Sequence, residues 1–217
     1  FLLKNFFTST LAKTDMEKIE EEIMEEQIVD LPPERHVYEI KASYDGINKI
    51  DAQMNLTYVN NTENTQSELY FHLYPNMFSS SKRLPFFRED LHKVFPQGFS
   101  LGGIEIKQIK QDGKDITWSM IDEDQILHVP LETPVNKGEV SNIYIQFQLT
   151  VPRARFRFGY LTFGKDKITL SLGNWYPILA VCKDGQWSLD KHQAVGDCTY
   201  SDISDYTVSF TVPKGFT

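Results

Sequence analysis

Three arginines at alternate positions, Arg153, Arg155 and Arg157, form the most concentrated group of side chains in this sequence that could do chemistry. They follow Val151-Pro152 in a chain whose net charge is −8. The planar guanidinium group binds carboxylates and other anions through two parallel hydrogen bonds. The cluster is therefore a candidate anion or carboxylate site. The alternative is a loop whose arginines pair with the chain's own acidic side chains.

The stretch "LSLGNWYPILAV", from Leu170 to Val181, is a second candidate. It reads as a buried strand that is interrupted in the middle, and proline is excluded from central strands. Glycine lets another backbone approach closely, proline fixes a bend, and two aromatic rings supply rigid contact area. We expect a bend that faces a partner domain or a substrate cleft, formed by Gly173, Asn174, Trp175, Tyr176 and Pro177. The alternative is a packed kink around Trp175.

The two cysteines, Cys182 and Cys198, are candidates for a disulfide in an oxidising compartment, and two free thiols are the alternative. No CxxC pair, Cys/His cluster or HExxH spacing is present, so we expect no metal site in this chain. There is also no phosphate-binding glycine loop and no nucleophile elbow. We therefore expect no cofactor and no catalytic residue here.

The acidic composition, with a pI near 5.1, argues against nucleic acid as a partner, because phosphate binding relies on clustered Lys and Arg. The first residues, "FLLKNFF", are apolar but too few to span a bilayer. They are consistent with membrane anchoring upstream of Phe1. Together with the low cysteine count, this segment predicts a membrane-associated or extracellular location.

The elements that must position these residues are mostly strands. Residues 1–33 carry one amphipathic helical pattern, rich in glutamate and ended by Pro32-Pro33, which predicts a helical arm. From residue 34 onward, short alternating segments are separated by turn signals, with a short helix expected around Glu89–Phe95 in a long connection. The predicted fold is all-β, a saddle-like antiparallel double sheet or β-sandwich with one N-terminal amphipathic helix. The predicted strands are Val37–Ala42, Lys49–Val59, Ser67–Tyr74, Gly103–Lys110, Ile116–Met120, Gln125–Leu131, Glu139–Thr150, Lys167–Leu172, Ile178–Cys182 and Tyr206–Val212.

The order of several motifs resembles the N-terminal domain of bacterial M1-family zinc metallopeptidases, the aminopeptidase-like gluzincins. The matching pieces run from residue 36 to residue 217, and their order is more specific than any one of them. They are "FHLYPN" at Phe71–Asn76, "LGGIEIKQI", "LHVPLETPVNKGE", "RFRFGY", "GNWYPILAV" with "DGQW", and the closing "GDCTYSDISDYTVSFTVPKGF".

The resemblance implies that residues 34–217 form a non-catalytic β domain that packs on its own C-terminal catalytic domain and helps to shape the substrate cleft. Zinc and a peptide substrate are expected in that catalytic domain, which would begin shortly after Thr217, so this chain should be inactive alone. The family's substrate-binding glutamine has no counterpart in Asp166–Thr169, so strict aminopeptidase specificity is not implied. Two alternatives stay open: a stand-alone β-sandwich interaction module, and the scaffold domain of an inactive peptidase homologue.

Overall fold

The computed structural model describes residues 34–82, 84, 86–164, 167–191 and 199–216. The chain divides into two units, Phe1–Pro32 and Pro33–Thr217, and all of these residues belong to the second. The helical arm predicted for residues 1–33 lies outside the described residues.

Fourteen strands make up most of the described chain, and they confirm the predicted all-β class. The strands are β1 His36–Tyr44, β2 Lys49–Val59, β3 Gln66–His72, β4 Gly103–Gln111, β5 Lys114–Asp115, β6 Ser119–Ile121, β7 Ile126–Val135, β8 Val140–Thr150, β9 Phe158–Phe163, β10 Lys167–Leu172, β11 Ile178–Leu179, β12 Cys182–Lys183, β13 Gln186–Trp187 and β14 Ser204–Thr211.

Six strands form the large sheet, in the order β14-β1-β2-β8-β4-β5. Its neighbours are antiparallel except for β1 and β14, which run parallel with His36 opposite Ser204. Along β1 and β2 every second side chain is buried, as the period-2 alternation of the sequence requires. One face of the large sheet therefore lies on the core.

The small sheet covers this face with four strands in the order β11-β3-β7-β6. Leu69 and Phe71 of β3 and Val129 of β7 are fully buried in the same apolar cluster as Met54, Leu56 and Ile145 of the large sheet. Two short hairpins, β9-β10 and β12-β13, complete the fold. The arrangement is a β-sandwich whose two sheets differ in width.

Asn76, at the end of the "FHLYPN" motif, links the two sheets by hydrogen bonds. Its side-chain amide donates to the carbonyl of Asp124, in the turn before β7, at 2.6 Å. Its Oδ1 accepts the backbone N–H of Ile104 on β4 at 2.8 Å. Because Asn76 is buried, both backbone groups would lack a partner without this amide.

The long connection between β3 and β4 carries the short helix α1, Leu91–Val94, as expected near Glu89–Phe95. A 3₁₀ turn, Tyr74–Phe78, replaces the end of the predicted third strand. The connection packs through an aromatic cluster centred on Phe78, with Phe95 and Phe158 as edge-on and tilted neighbours. The connection therefore packs against the hairpin β9-β10.

Three sequence-based assignments need correction. Of the predicted strand Ile116–Met120, only Ser119 and Met120 are in a strand, β6, because the buried Ile116 lies in the connection between β5 and β6. The predicted strand Ile178–Cys182 is divided between the small sheet and the hairpin β12-β13. Strand β9 begins at Phe158, immediately after the arginines, where only a loop was expected.

No helix in the described part of the chain is long and apolar enough to cross a membrane.

Candidate functional site

The predicted bend lies between two different sheets. Strand β10 ends at Leu172 and pairs only with β9, whereas β11 begins at Ile178 and pairs with β3 of the small sheet. Gly173 donates its N–H to the Arg157 carbonyl at 2.6 Å, and a Cβ at this position would stand 3.1 Å from the same oxygen. Asn174 has a φ of 53°, in the left-handed region. Glycine at position 173 therefore permits the close approach to Arg157, and asparagine at position 174 tolerates the left-handed backbone.

Trp175 packs inside the domain. Its side chain is 9% exposed, and its ring lies 6.2 Å from Phe147 of β8 and 5.8 Å from Phe210 of β14. This is the packing that the packed-kink alternative expects for this ring. Gly173, Asn174 and Tyr176 remain partly accessible, and their role toward a partner domain stays a prediction.

Three tyrosines connect the bend to the edge of the large sheet. Tyr38 of β1 stacks on Tyr206 of β14 with ring centres 4.8 Å apart, and Tyr176 lies edge-on to both. The Tyr176 hydroxyl donates to the Tyr206 hydroxyl at 3.2 Å, and Tyr38 Oη accepts the N–H of Leu179 at 3.2 Å. Burial and the Tyr206 hydroxyl raise the pKa of Tyr176. The Tyr176 hydroxyl is therefore neutral at physiological pH.

Strand β14 presents apolar side chains that the small sheet does not cover. Tyr206, Val208 and Phe210 register with Tyr38, Ile40 and Ala42 of β1, which point into the core. Yet Tyr206 is 45% exposed and Val208 is 52% exposed. We call Tyr176, Tyr206, Val208 and Phe210 the β14 face. It extends the core side of the large sheet beyond the narrower small sheet, at an edge strand.

The arginine cluster adjoins the bend through Arg157, whose carbonyl accepts the Gly173 N–H. The guanidinium of Arg157 lies over Phe156 at 5.5 Å from the ring centre, and that of Arg153 lies over Tyr160 at 5.8 Å. The N–H of Arg155 donates to the Val94 carbonyl at 2.7 Å, which ties this segment to α1. Cation–π contacts thus hold two of the three arginines, and an anion site here stays a prediction.

Cys182 lies on β12 with its side chain half-buried. Its Sγ accepts a weak hydrogen bond from Gln66 Nε2 at 3.8 Å, and burial raises the pKa of the thiol. Cys198 lies outside the described residues, so the predicted disulfide stays a prediction.

Within the described ranges, no group of three or more His, Cys, Asp or Glu residues is placed to hold a metal ion. The described strand histidines have structural partners. His72 Nε2 lies 3.1 Å from the carbonyl of Ser188, and His128 Nε2 lies 2.8 Å from Glu68 Oε2. His36 stacks on Tyr58, with ring centres 5.3 Å apart.

The sequence alone did not identify the β14 face. Its signal is present, because aromatic and aliphatic residues alternate with polar ones in "YTVSF". That alternation predicts one buried side for the strand and does not show how far the opposing sheet extends.

No protein-family model matches this chain, and no curated protein does. Among solved structures, it is similar to the M1 zinc metallopeptidase from Deinococcus radiodurans. With a variant of that enzyme bound to a Tyr-Ser-Ala substrate, the identity is 13% and the TM-score 0.36, over 56% of this chain and 22% of that chain. With another crystal of a variant, the identity is 14% and the TM-score 0.38, over 62% and 25% of the two chains. The match thus spans about a quarter or less of the length of these relatives.

Proposed function

We propose that residues 34–217 form a non-catalytic β domain of an M1-like zinc metallopeptidase. In this proposal the domain packs on a catalytic domain through the β14 face and the adjoining bend, and helps to shape the substrate cleft. Zinc and the peptide substrate belong to that catalytic domain. The choice of this family rests on the ordered sequence motifs, from "FHLYPN" to the closing strand.

The observation that carries the docking role is the exposed apolar face of β14. Contiguous apolar side chains on a soluble domain mark interaction surfaces, and an uncovered edge strand is otherwise a liability for aggregation. Contacts inside the domain also hold two side chains of this face in place. Trp175 packs against Phe210, and Tyr38 stacks on Tyr206. A partner domain would therefore meet a preformed surface.

Val208→Glu in the complete protein tests the docking role. Burying an unpaired carboxylate in the contact should cost about 2 kcal/mol or more, so we expect peptidase activity to fall at least about tenfold. The matched control is Ser209→Glu, which places the same charge one residue away on the opposite, exposed face of β14. Equal activity of the two variants would contradict the proposal.

The reading frame beyond Thr217 separates this proposal from its alternatives. An HExxH motif within roughly a hundred residues fits a zinc peptidase, in which the two histidines bind the metal. A frame that continues with unrelated sequence favours a stand-alone interaction module. A homologous domain that has lost the motif favours an inactive scaffold.

A further inference from the structure

A second feature, independent of the β14 face, lies at the end of the sandwich where β1 begins and β2 ends. A cleft of about 400 Å³ opens between the two sheets and the hairpin β12-β13. We call it the His36 cleft, and its main walls are His36, Tyr58, Leu179, Cys182, Trp187 and Asp202. Small-molecule sites occupy clefts of this size, lined mostly by apolar and aromatic side chains with a few placed polar groups.

Two buried donors in this cleft, His36 Nε2–H and the Tyr58 hydroxyl, have no hydrogen-bond acceptor among the described residues. His36 is 7% exposed and Tyr58 is 2% exposed, and their rings stack 5.3 Å apart. His36 Nδ1 accepts the Val59 N–H at 3.2 Å, so the neutral imidazole carries its proton on Nε2. Among the described residues, nothing accepts that proton and nothing bonds the Tyr58 hydroxyl. Buried polar groups are nearly always paired, so these two donors call for an acceptor.

The charges along the cleft are mainly negative. Glu34 and Asp202 lie on the exposed rim, and Arg35, the single basic residue among the described residues of the lining, has its guanidinium 3.9 Å from Asp205. The Asp202 carboxylate influences both inner side chains. Burial lowers the pKa of His36 and Asp202 partly opposes this, whereas burial and Asp202 both raise the pKa of Tyr58. An anionic ligand would be repelled by this rim, whereas an ammonium group would be attracted.

The body of the cleft is apolar. Leu179 of β11, the adjacent Ala180 and the half-buried ring of Trp187 line it, and the exposed Ile203 follows Asp202 at the rim. The arrangement therefore fits a molecule with three parts, a neutral carbonyl oxygen, an apolar side group and a protonated amine.

We propose that the His36 cleft binds small amino amides. The carbonyl oxygen accepts from Tyr58 Oη–H and His36 Nε2–H, the apolar group packs on Trp187 and Leu179, and the ammonium faces Asp202. The site belongs to the β domain itself and does not depend on the proposed catalytic partner.

Phenylalaninamide titrated into the 217-residue chain, followed by amide NMR, tests this site. We expect saturable shifts at the Val59 and Leu179 amides. Tyr58→Phe should weaken binding about fivefold, the usual effect of losing one hydrogen bond. Phenethylamine, which lacks the carboxamide, should bind more weakly to the parent chain and be unaffected by Tyr58→Phe. Because no described residue bonds the hydroxyl, this variant should keep or raise the melting temperature.

Asp202→Asn tests the ammonium end in the same way. It should weaken phenylalaninamide about threefold, as for an exposed ion pair, and leave the uncharged N-acetyl-phenylalaninamide unchanged. Tyr144→Phe, on β8 away from the cleft, is the matched control and should change neither affinity. The proposal is overturned by the absence of saturable shifts at Val59 and Leu179. It is equally overturned if Tyr58→Phe weakens phenethylamine as much as phenylalaninamide.

Discussion

At the scale of single residues, buried polar side chains in this domain mainly join backbone segments that are distant in sequence. Asn60 is fully buried, and its amide donates to the carbonyls of Asn64 and Val135, both at 2.8 Å. Asn76 joins the two sheets, and His72 reaches Ser188. Each of these side chains is the hydrogen-bond partner of a backbone group that water would otherwise have to satisfy. His36 also accepts the Val59 N–H, but its Nε2–H and the Tyr58 hydroxyl have no acceptor among the described residues, and we propose that a ligand supplies one.

The buried histidines should make the stability of the domain depend on pH. Burial lowers the pKa of His36 and of His72 below the ordinary value, despite the nearby carboxylates Asp202 and Asp190. The unfolded chain therefore binds protons first as pH falls through about 6.5. We expect the free energy of unfolding to fall below that pH, by at most about 1.4 kcal/mol per pH unit for each histidine. The fall ends below the folded-state pKa values.

Urea unfolding between pH 8 and pH 5 measures this slope. His36→Gln removes one titrating group while leaving an oxygen that can accept the Val59 N–H, so the slope should decrease. His92→Gln, at an exposed position of α1, is the control and should leave the slope unchanged. A free energy of unfolding that stays constant or rises between pH 7.5 and pH 5.5 would contradict the expectation.

At the scale of elements, the bend and β14 stabilise each other. Trp175 and Tyr176 of the bend pack on Phe210 and Tyr206 of β14. Among the described strands, β14 pairs with β1 alone, so these aromatic contacts supply its attachment on the core side. The bend therefore orders the edge strand that we propose as the docking surface.

Trp175→Ala should destabilise the chain itself by about 3–5 kcal/mol, the range for truncating a large buried aromatic residue. The cavity would open between β8 and β14. Chemical unfolding followed by circular dichroism measures the loss. Tyr176→Phe is the control, because it removes only the hydrogen bond to Tyr206 at the surface and should cost about 1 kcal/mol or less. An unfolding curve of Trp175→Ala that matches the parent chain would show that the ring does not support the core.

At the scale of the whole molecule, the two sheets differ in width, and this difference creates the β14 face. Six strands face four, and the uncovered strand is the one at the edge. A sandwich with equal sheets would bury Val208 as it buries Ile40. The proposed partner domain would complete the missing part of the second layer.

The metal requirement should separate this domain from its proposed partner. Treatment of the complete protein with a chelator should abolish peptide hydrolysis, because zinc in this class activates the attacking water. The melting temperature of the 217-residue chain should not change under the same treatment, since its described residues hold no cluster of metal ligands. A clear shift in that melting temperature would place a structural metal in this chain.

Local pattern alone predicts much of this fold. The strand bounds Lys49–Val59 and Lys167–Leu172 follow from alternation and turn residues, and the structure has the same bounds. The bend at Gly173–Pro177 can also be predicted from the sequence, because glycine and proline determine the backbone dihedrals at their own positions. The pairing of distant strands cannot be predicted from local pattern, since the same alternation is compatible with many registers and sheet orders.

The sequence by itself determined the all-β class, most strands, the bend and the absence of a catalytic motif, all of which depend on neighbouring residues or residue types. Only the tertiary structure decided that β14 lies parallel to β1 and that Trp175 faces the core. It alone brought His36, Tyr58 and Asp202 to one cleft from three chain segments. The physical reason is that burial depends on which surface lies opposite a side chain. That surface can come from a chain segment more than a hundred residues away, as the contact of Tyr38 with Tyr176 shows.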